Sequence, residues 1–185
     1  MVLAAFRTRL PALLLAAAVS ACASSDLATG PNLAASSHQP GLSCAPYARA
    51  LSGIALHGPA DSWWLAAAGR YDRAARPEVG AVLVLRRSDR LASGHVAVVS
   101  RLLAPRRVLV IQANWVPDQL TEDQLVIDVS ARNDWTEVRM WWPLSNAMGG
   151  HIYPAYGFIL PPAPASHEAL RRAAQPAARL ALAAR

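Results

Sequence analysis

The sequence contains no lysine, so all 18 of its basic residues are arginines. With the abundance of alanine and proline, this indicates a GC-rich genome rather than a particular chemistry. The formal net charge of +6 comes from the two ends of the chain. Between those ends, arginines and acidic residues nearly balance, and no nucleic-acid-binding motif occurs. We therefore expect no nucleic-acid partner. The arginines that carry the excess charge are Arg7, Arg9, Arg171, Arg172, Arg179 and Arg185.

Cysteine is also scarce, with only Cys22 and Cys44 in the chain. No Cys/His cluster has the spacing of a zinc site, and we expect neither a metal nor an organic cofactor. In an exported protein the two cysteines could form a disulfide. If Cys22 serves another purpose, Cys44 remains a lone cysteine with histidine and amide residues downstream, which is typical of a catalytic nucleophile.

The sequence lacks an apolar run long enough to span a bilayer as an ordinary transmembrane helix. The run Leu10–Val19 is too short, and Arg7 and Arg9 precede it, as in a signal peptide. It ends in Val19-Ser20-Ala21-Cys22, which resembles a bacterial lipobox.

That resemblance implies a signal peptide over 1–21 and a lipid anchor on Cys22. Ala23 stands where an Asp would favour inner-membrane retention, so we expect a periplasm-facing lipoprotein of the outer membrane. The alternatives are a secretory signal cleaved at another small residue and an uncleaved anchor.

Composition divides the rest of the chain into three parts. Residues 22–41 are rich in Ala, Ser, Gly and Pro without periodicity, which predicts a flexible linker. Residues 42–162 contain the periodic apolar segments of one domain. Residues 163–185 form a basic, Ala/Arg-rich tail, for which we expect a short helix or disorder because Pro176 should break a longer helix.

The domain begins with helical periodicity and continues with strand patterns. Tyr47, Ala48, Leu51 and Ile54 can share one helix face after Ser43, which could cap the helix. A second short helix is predicted over 62–68, ending before Gly69. Helices followed by strands indicate an α+β fold, with N-terminal helices packed on an antiparallel sheet. The predicted strands are 81–85, 95–102, 108–113, 125–130 and 156–160.

Cys44 lies at the predicted start of the first helix. Free backbone N–H groups and the positive end of the helix dipole lower the pKa of a thiol placed there, and the same groups can stabilise an oxyanion. The competing interpretation is a small buried core residue.

Three polar residues downstream are candidate partners for that thiol. His95 follows Gly94 at the start of a strand, where it can act as a base for Cys44; the alternative is a structural histidine. Gln112 and Asn114 end the next strand two positions apart, so both can lie on one face and orient the imidazole. Asn114 can instead be a turn residue.

Five segments together resemble the CHAP family, the cysteine, histidine-dependent amidohydrolases/peptidases of the papain-like NlpC/P60 superfamily. The resemblance covers roughly residues 42–162. The segments are Cys44-Ala45-Pro46-Tyr47-Ala48-Arg49, Ala60-Asp61-Ser62-Trp63-Trp64, Pro77-Glu78-Val79-Gly80-Ala81-Val82, Gly94-His95-Val96-Ala97-Val98-Val99 and Gln112-Ala113-Asn114-Trp115.

The resemblance implies that Cys44 is the nucleophile, His95 the general base and Asn114 the supporting polar residue. Gln112 is expected to assist, although many members of the family carry an acid at its position. An amide orients imidazole but stabilises imidazolium less than a carboxylate does. Trp115, beside Asn114, and Trp64, on the second helix, are candidates for substrate binding, with core packing as the alternative.

The function implied by the resemblance is cleavage of an amide bond in peptidoglycan. The bond is either the N-acetylmuramoyl-L-alanine amide or a peptide bond, so the enzyme is an amidase or an endopeptidase. An inactive CHAP-like lipoprotein that binds cell wall or acts as a scaffold is the main alternative, because Gln112 replaces an acid. A thiol acyltransferase, or an endopeptidase acting on another protein, would use the same residues.

Overall fold

The computed structural model describes residues 37–184. The predicted signal peptide, Cys22 and most of the predicted linker lie outside the described residues. The helices are α1 (Cys44–Ser52), α2 (Trp63–Ala66) and α3 (His167–Ala183), with short 3₁₀ turns at Ala60–Ser62 and Pro143–Ser145. The strands are β1 (Ser37–His38), β2 (Arg73–Ala74), β3 (Val82–Leu85), β4 (His95–Ala104), β5 (Arg107–Ala113), β6 (Gln119–Asp128), β7 (Glu137–Trp142), β8 (Ala147–Met148) and β9 (Tyr153–Ile159).

The strands form an antiparallel sheet that closes on itself. Neighbouring strands follow the order β6, β5, β4, β3, β9 and β7. β7 also pairs with β6, where Val126 faces Met140 and Asp128 faces Val138. The six strands therefore enclose a barrel-like interior. The short strands β1, β2 and β8 pair with β6, β9 and β7 respectively.

The sheet separates two apolar clusters because successive side chains of a strand point to opposite faces. Leu83 and Leu85 of β3 point into the barrel, together with Ala97 of β4 and Phe158 of β9. The intervening residues, such as Val84, pack outward against the helices. Strands buried on both faces appear in the sequence as continuous apolar runs, which is how β3 and β4 could be predicted.

The structure confirms a fold that mixes helices with an antiparallel sheet. Helix α1 buries Tyr47, Ala48 and Leu51 as the periodicity predicted, and it ends at Gly53, which has a φ of 75°. Ile54 is also fully buried, but it follows the helix. Strand β6 begins earlier than predicted, and β7 and the three two-residue strands were not predicted.

The C-terminal segment is more ordered than the sequence indicated. The expected break at Pro176 was wrong: α3 continues through it as a 17-residue helix. The Oγ of Ser166 accepts a 3.2 Å hydrogen bond from the N–H of Ala169 and caps the first turn. The buried side chains of α3 join the cluster beneath α1, so tertiary packing compensates for the backbone hydrogen bond that proline removes. These side chains are Leu170, Ala174, Ala177, Ala178 and Ala181.

Among residues 37–184, no helix is long and apolar enough to cross a membrane.

Gly94 fixes the position of the residue that follows it. Its φ is 67°, and a Cβ at this position would lie 2.6 Å from the carbonyl oxygen of Leu85 and 2.9 Å from the backbone nitrogen of Asp61. The N–H of Asp61 donates to the carbonyl of Ser93 over 3.0 Å. The absence of a side chain thus lets the 3₁₀ turn pack directly against the start of β4, where His95 lies.

We predict that Gly94→Ala destabilises the protein by about 1–3 kcal/mol more than Gly69→Ala does. Both glycines have positive φ, at 67° and 70°, so both substitutions incur the same backbone strain. Only at Gly94 does the added methyl group meet backbone atoms, because nothing lies within 4 Å of a Cβ at Gly69. Urea unfolding of the two variants measures the difference; equal losses would contradict the close approach described above.

Candidate active site

The thiol of Cys44 lies at the first position of α1. Ser43 occupies the N-cap position but makes no capping hydrogen bond with its side chain. Pro46 has no N–H, which costs nothing in the first turn because N–H groups there have no intrahelical partner. The N–H groups of Cys44 and Ala45 are therefore not used by a cap. The half-buried thiol stands at the positive end of the helix dipole.

Helix α1 packs against β4 so that the Cys44 thiol meets the side chain of His95. Burial raises the pKa of the thiol. The charge and side-chain hydrogen bond of His95, with backbone hydrogen bonds from Val96 and Ala45, outweigh that effect and leave the pKa lowered. The environment thus favours the thiolate, the nucleophilic form of cysteine.

The far side of the His95 ring contacts Gln112. Nε2 of His95 lies 2.9 Å from Oε1 of Gln112, and both residues are almost fully buried. An amide oxygen accepts hydrogen bonds, so this contact holds a proton on Nε2 and leaves Nδ1 to face the thiol. The amide Nε2 of Gln112 is buried without a partner among the described residues. An orphaned amide costs about 1–3 kcal/mol, so Gln112 carries a penalty for its place beside the ring.

Asn114 does not take the place beside His95 that was predicted for it. Strand β5 ends at Ala113, and Asn114 has a φ of 60°, so the two-residue alternation that would align it with Gln112 no longer applies. Its exposed side chain instead accepts a 3.0 Å hydrogen bond from the N–H of Asp118 and stabilises a turn. The preference for Asn114 over Gln112 as the imidazole partner is therefore corrected, and Asn114 has the alternative role of a turn residue.

Trp115 packs beside the ring of His95 in the interior of the protein. Its ring centroid lies 5.1 Å from that of His95, and its indole N–H donates a 3.1 Å hydrogen bond to the carbonyl of Trp141. Trp115 is only 9% exposed. On its other side it meets the rings of Trp142 and Tyr153 edge to face. These three aromatic residues line a cavity of about 420 Å³.

Trp64 lies in a different aromatic group. Its ring stacks with Tyr156 at 5.7 Å, and the guanidinium of Arg73 lies 5.0 Å from the ring centroid. Arg86 covers Tyr156 at 4.3 Å. The neighbouring Trp63 is fully buried in the core. Trp64 does not line the cavity beside Trp115, so the structure separates the two tryptophans proposed for substrate binding.

A buried thiol and an imidazole in contact can form the thiolate–imidazolium pair that cysteine-dependent hydrolases and acyltransferases use. The sequence did not indicate the contribution of the Val96 N–H, because a backbone group leaves no side-chain signal. Within residues 37–184, no group of three or more His, Cys, Asp or Glu side chains is arranged to hold a metal ion.

The site therefore brings a thiol, an imidazole and an amide together. Residues 34–114 match the family model described as the CHAP domain. That segment is under half of the chain, and it contains Cys44, His95 and Gln112. A CHAP domain generally implies peptidoglycan amidase or peptidase activity and suggests that the chain is a hydrolase. No curated protein matches the chain.

The lowered pKa of Cys44 predicts its rate of alkylation as a function of pH. In a Cys22→Ser chain, where Cys44 is the remaining thiol, iodoacetamide labelling should reach half its maximal rate below pH 9.0, the ordinary pKa of the thiol. His95→Ala removes the charge and hydrogen bond that lower the pKa but leaves the burial that raises it. The midpoint should therefore move upward in that variant.

The matched control is His57→Ala. His57 is an exposed histidine whose ring contacts Arg49, so its removal should leave the midpoint unchanged. A midpoint near pH 9.0 in the parent chain would contradict the thiol–imidazole contact. A midpoint that is the same in His95→Ala as in the parent chain would also contradict it.

Proposed function

We propose that this protein cleaves an amide bond in peptidoglycan by a cysteine–histidine thiol mechanism, as an N-acetylmuramoyl-L-alanine amidase or an endopeptidase. The observation that carries the proposal is the contact between Cys44 and His95, whose far nitrogen is held by Gln112. The CHAP-domain match over this segment supports peptidoglycan as the substrate class. We further propose that the domain is papain-like in the NlpC/P60 sense, with its helix-borne thiol beside a sheet-borne imidazole.

In the proposed mechanism the Cys44 thiolate attacks the amide carbonyl. The N–H groups at the uncapped start of α1 stabilise the resulting oxyanion. His95 gives its proton to the leaving amine and then activates the water that hydrolyses the thioester. Gln112 acts through His95: it holds the proton on Nε2 and keeps the ring turned toward the thiol.

The alternative of an inactive scaffold is less well supported by the site. A domain without catalysis needs neither a thiol of lowered pKa nor a buried amide aligned with the adjacent imidazole. Gln112 replaces the acid found in many CHAP proteins, but its oxygen still accepts from the ring. We infer that the neutral amide orients the imidazole and leaves the thiolate as the main electrostatic partner of the imidazolium, while the positive end of the α1 dipole stabilises the thiolate.

We also propose that the chain acts in the cell envelope as a periplasm-facing lipoprotein of the outer membrane, because Ala23 stands where an Asp would favour inner-membrane retention. The lipobox-like sequence that ends at Cys22 supports this location. A lipid on Cys22 would prevent it from pairing with Cys44 and so keep the catalytic thiol free. Peptidoglycan would then lie within reach of a domain tethered by the Ala/Ser-rich segment.

Purified sacculi provide the direct test of hydrolysis. Under reducing conditions the mature protein should release new muropeptide products, and Cys44→Ala and His95→Ala should each lower the rate by a factor on the order of 10³ or more. Mass analysis of the products identifies the bond: a free muramoyl lactyl group indicates an amidase, and shortened or uncrosslinked peptides indicate an endopeptidase.

His57→Ala serves again as the control and should retain full activity. The hydrolase proposal is wrong if the intact protein releases no product while its Cys44 alkylates with the lowered midpoint described above. A fully active Cys44→Ala variant would exclude the thiol mechanism.

Lipidation has its own test in the native host cells. The parent chain should fractionate with membranes and yield an N-terminal peptide beginning at Cys22 with added acyl mass. Cys22→Ser should release the protein to the soluble envelope fraction without changing the activity of the domain. An unmodified Cys22 in the mature parent chain would contradict the lipid anchor.

A further inference from the structure

In addition to Trp115 and Tyr153, two segments of the chain line the cavity beside Trp115. One side comes from the connection between β3 and β4, which includes Arg90. The other comes from the segment around β7 and β8, which includes Trp142 and Gly149. Its volume of about 420 Å³ lies within the range of roughly 300–1,000 Å³ that is usual for small-molecule sites.

Both sides of the cavity are held in place by backbone hydrogen bonds. Ser88 and Leu91 bond to each other through both backbone pairs, at 3.1 and 3.0 Å, and present Arg90 at the tip of a tight turn. On the other side, the N–H of Gly149 donates to the carbonyl of Met140 over 2.9 Å, and Arg139 donates to the carbonyl of Gly149 over 2.8 Å. These hydrogen bonds therefore fix the backbone of the two segments that carry Arg90 and Gly149.

In the part of the chain that the structure describes, the lining of the cavity contains a positively charged side chain and no negatively charged one. Arg90 contributes a guanidinium, and the lining drawn from the described residues includes no carboxylate. Arg90 forms no ion pair within residues 37–184, including with its neighbour Asp89. Burial raises the pKa of Tyr153, and the positive charge of Arg90 opposes that rise, which indicates that the guanidinium lies near the phenol.

The aromatic lining favours a compact ligand over a flat sugar ring. Trp115 is almost fully buried, and its neighbours Trp142 and Tyr153 meet it edge to face at 78° and 72°. These rings pack against one another, so the cavity offers apolar ring edges beside the guanidinium of Arg90 and the imidazole of His151 rather than an open stacking surface. A peptide group with a free carboxylate matches that combination of apolar contact and positive charge.

We infer that this cavity is a substrate subsite that binds a free carboxylate of the peptide, with Arg90 as the residue that determines specificity. The inference rests on the proposed function, because the subsite serves the amide bond presented to Cys44. Trp115 connects the two regions: its ring touches His95 on one side and lines the cavity on the other. A carboxylate held by Arg90 would thus anchor the peptide in a cavity that shares Trp115 with the environment of His95.

Binding can be measured apart from catalysis in a Cys44→Ala chain. The probes are a disaccharide tetrapeptide with free carboxylates, the same compound with its carboxylates amidated, and a tetramer of N-acetylglucosamine without peptide. Titration calorimetry should show that amidation weakens binding about tenfold or more. Arg90→Gln should weaken binding of the free acid by a similar factor and leave binding of the amide unchanged.

Arg107→Gln is the matched control, because Arg107 is an exposed arginine at the opposite end of β5 from Gln112. It should bind the free acid as the parent does. Equal affinity for acid and amide, or no loss in Arg90→Gln, would overturn the inference. Tight binding of the peptide-free sugar that is lost in Trp142→Ala but not in Arg90→Gln would replace it with a glycan subsite.

Failure of the subsite and failure of the proposed function are distinguishable. If sacculi remain intact but carboxylate binding depends on Arg90, the subsite stands and the hydrolase proposal fails. If the parent hydrolyses sacculi and Arg90→Gln does so with unchanged KM, the hydrolase proposal stands and the subsite fails. The alkylation midpoint of Cys44 should be the same in Arg90→Gln and in the parent, which shows that the thiol site is undisturbed.

Discussion

The contact between the Cys44 thiol and the His95 imidazole is the interaction on which the site depends. A half-buried thiol would ordinarily stay protonated, because burial raises its pKa. The adjacent imidazole and two backbone N–H groups reverse that effect. One of these groups belongs to Val96, so β4 supplies both the imidazole and a hydrogen bond to the sulfur. The lowered pKa of the thiol thus requires that the start of α1 and the start of β4 remain in contact.

The two layers of the fold maintain that contact. The outer face of the barrel-like sheet packs against α1 and α3, and its interior packs around Trp135 and Phe158. His95 lies at the start of β4, where its ring reaches Gln112 while its strand neighbour Val96 faces the helices. Gly94 permits the 3₁₀ turn to approach β4 directly. The packing surface beneath α1 stabilises the fold and also holds the thiol of Cys44 beside His95, so substitutions there should affect both.

Gln112 gives the imidazole of His95 a hydrogen-bond acceptor that carries no charge. Its amide oxygen accepts from the ring, as a carboxylate oxygen would, but it adds no negative charge. In the proposed mechanism, the thiolate is then the chief partner of the imidazolium. The orphaned amide nitrogen of Gln112 indicates that ring orientation is maintained at a cost in stability.

Much of the site followed from sequence order alone. Apolar periodicity gave α1, β3, β4 and β5, and helix-start and strand-start positions singled out Cys44 and His95. Only the tertiary structure decided between Gln112 and Asn114, because the chain turns with positive φ at Asn114 and the alternation of side chains ends there. The same holds for α3, where burial against α1 overrides the helix-breaking tendency of Pro176. Local patterns determine which elements form, whereas contacts between distant segments determine which polar group meets the imidazole.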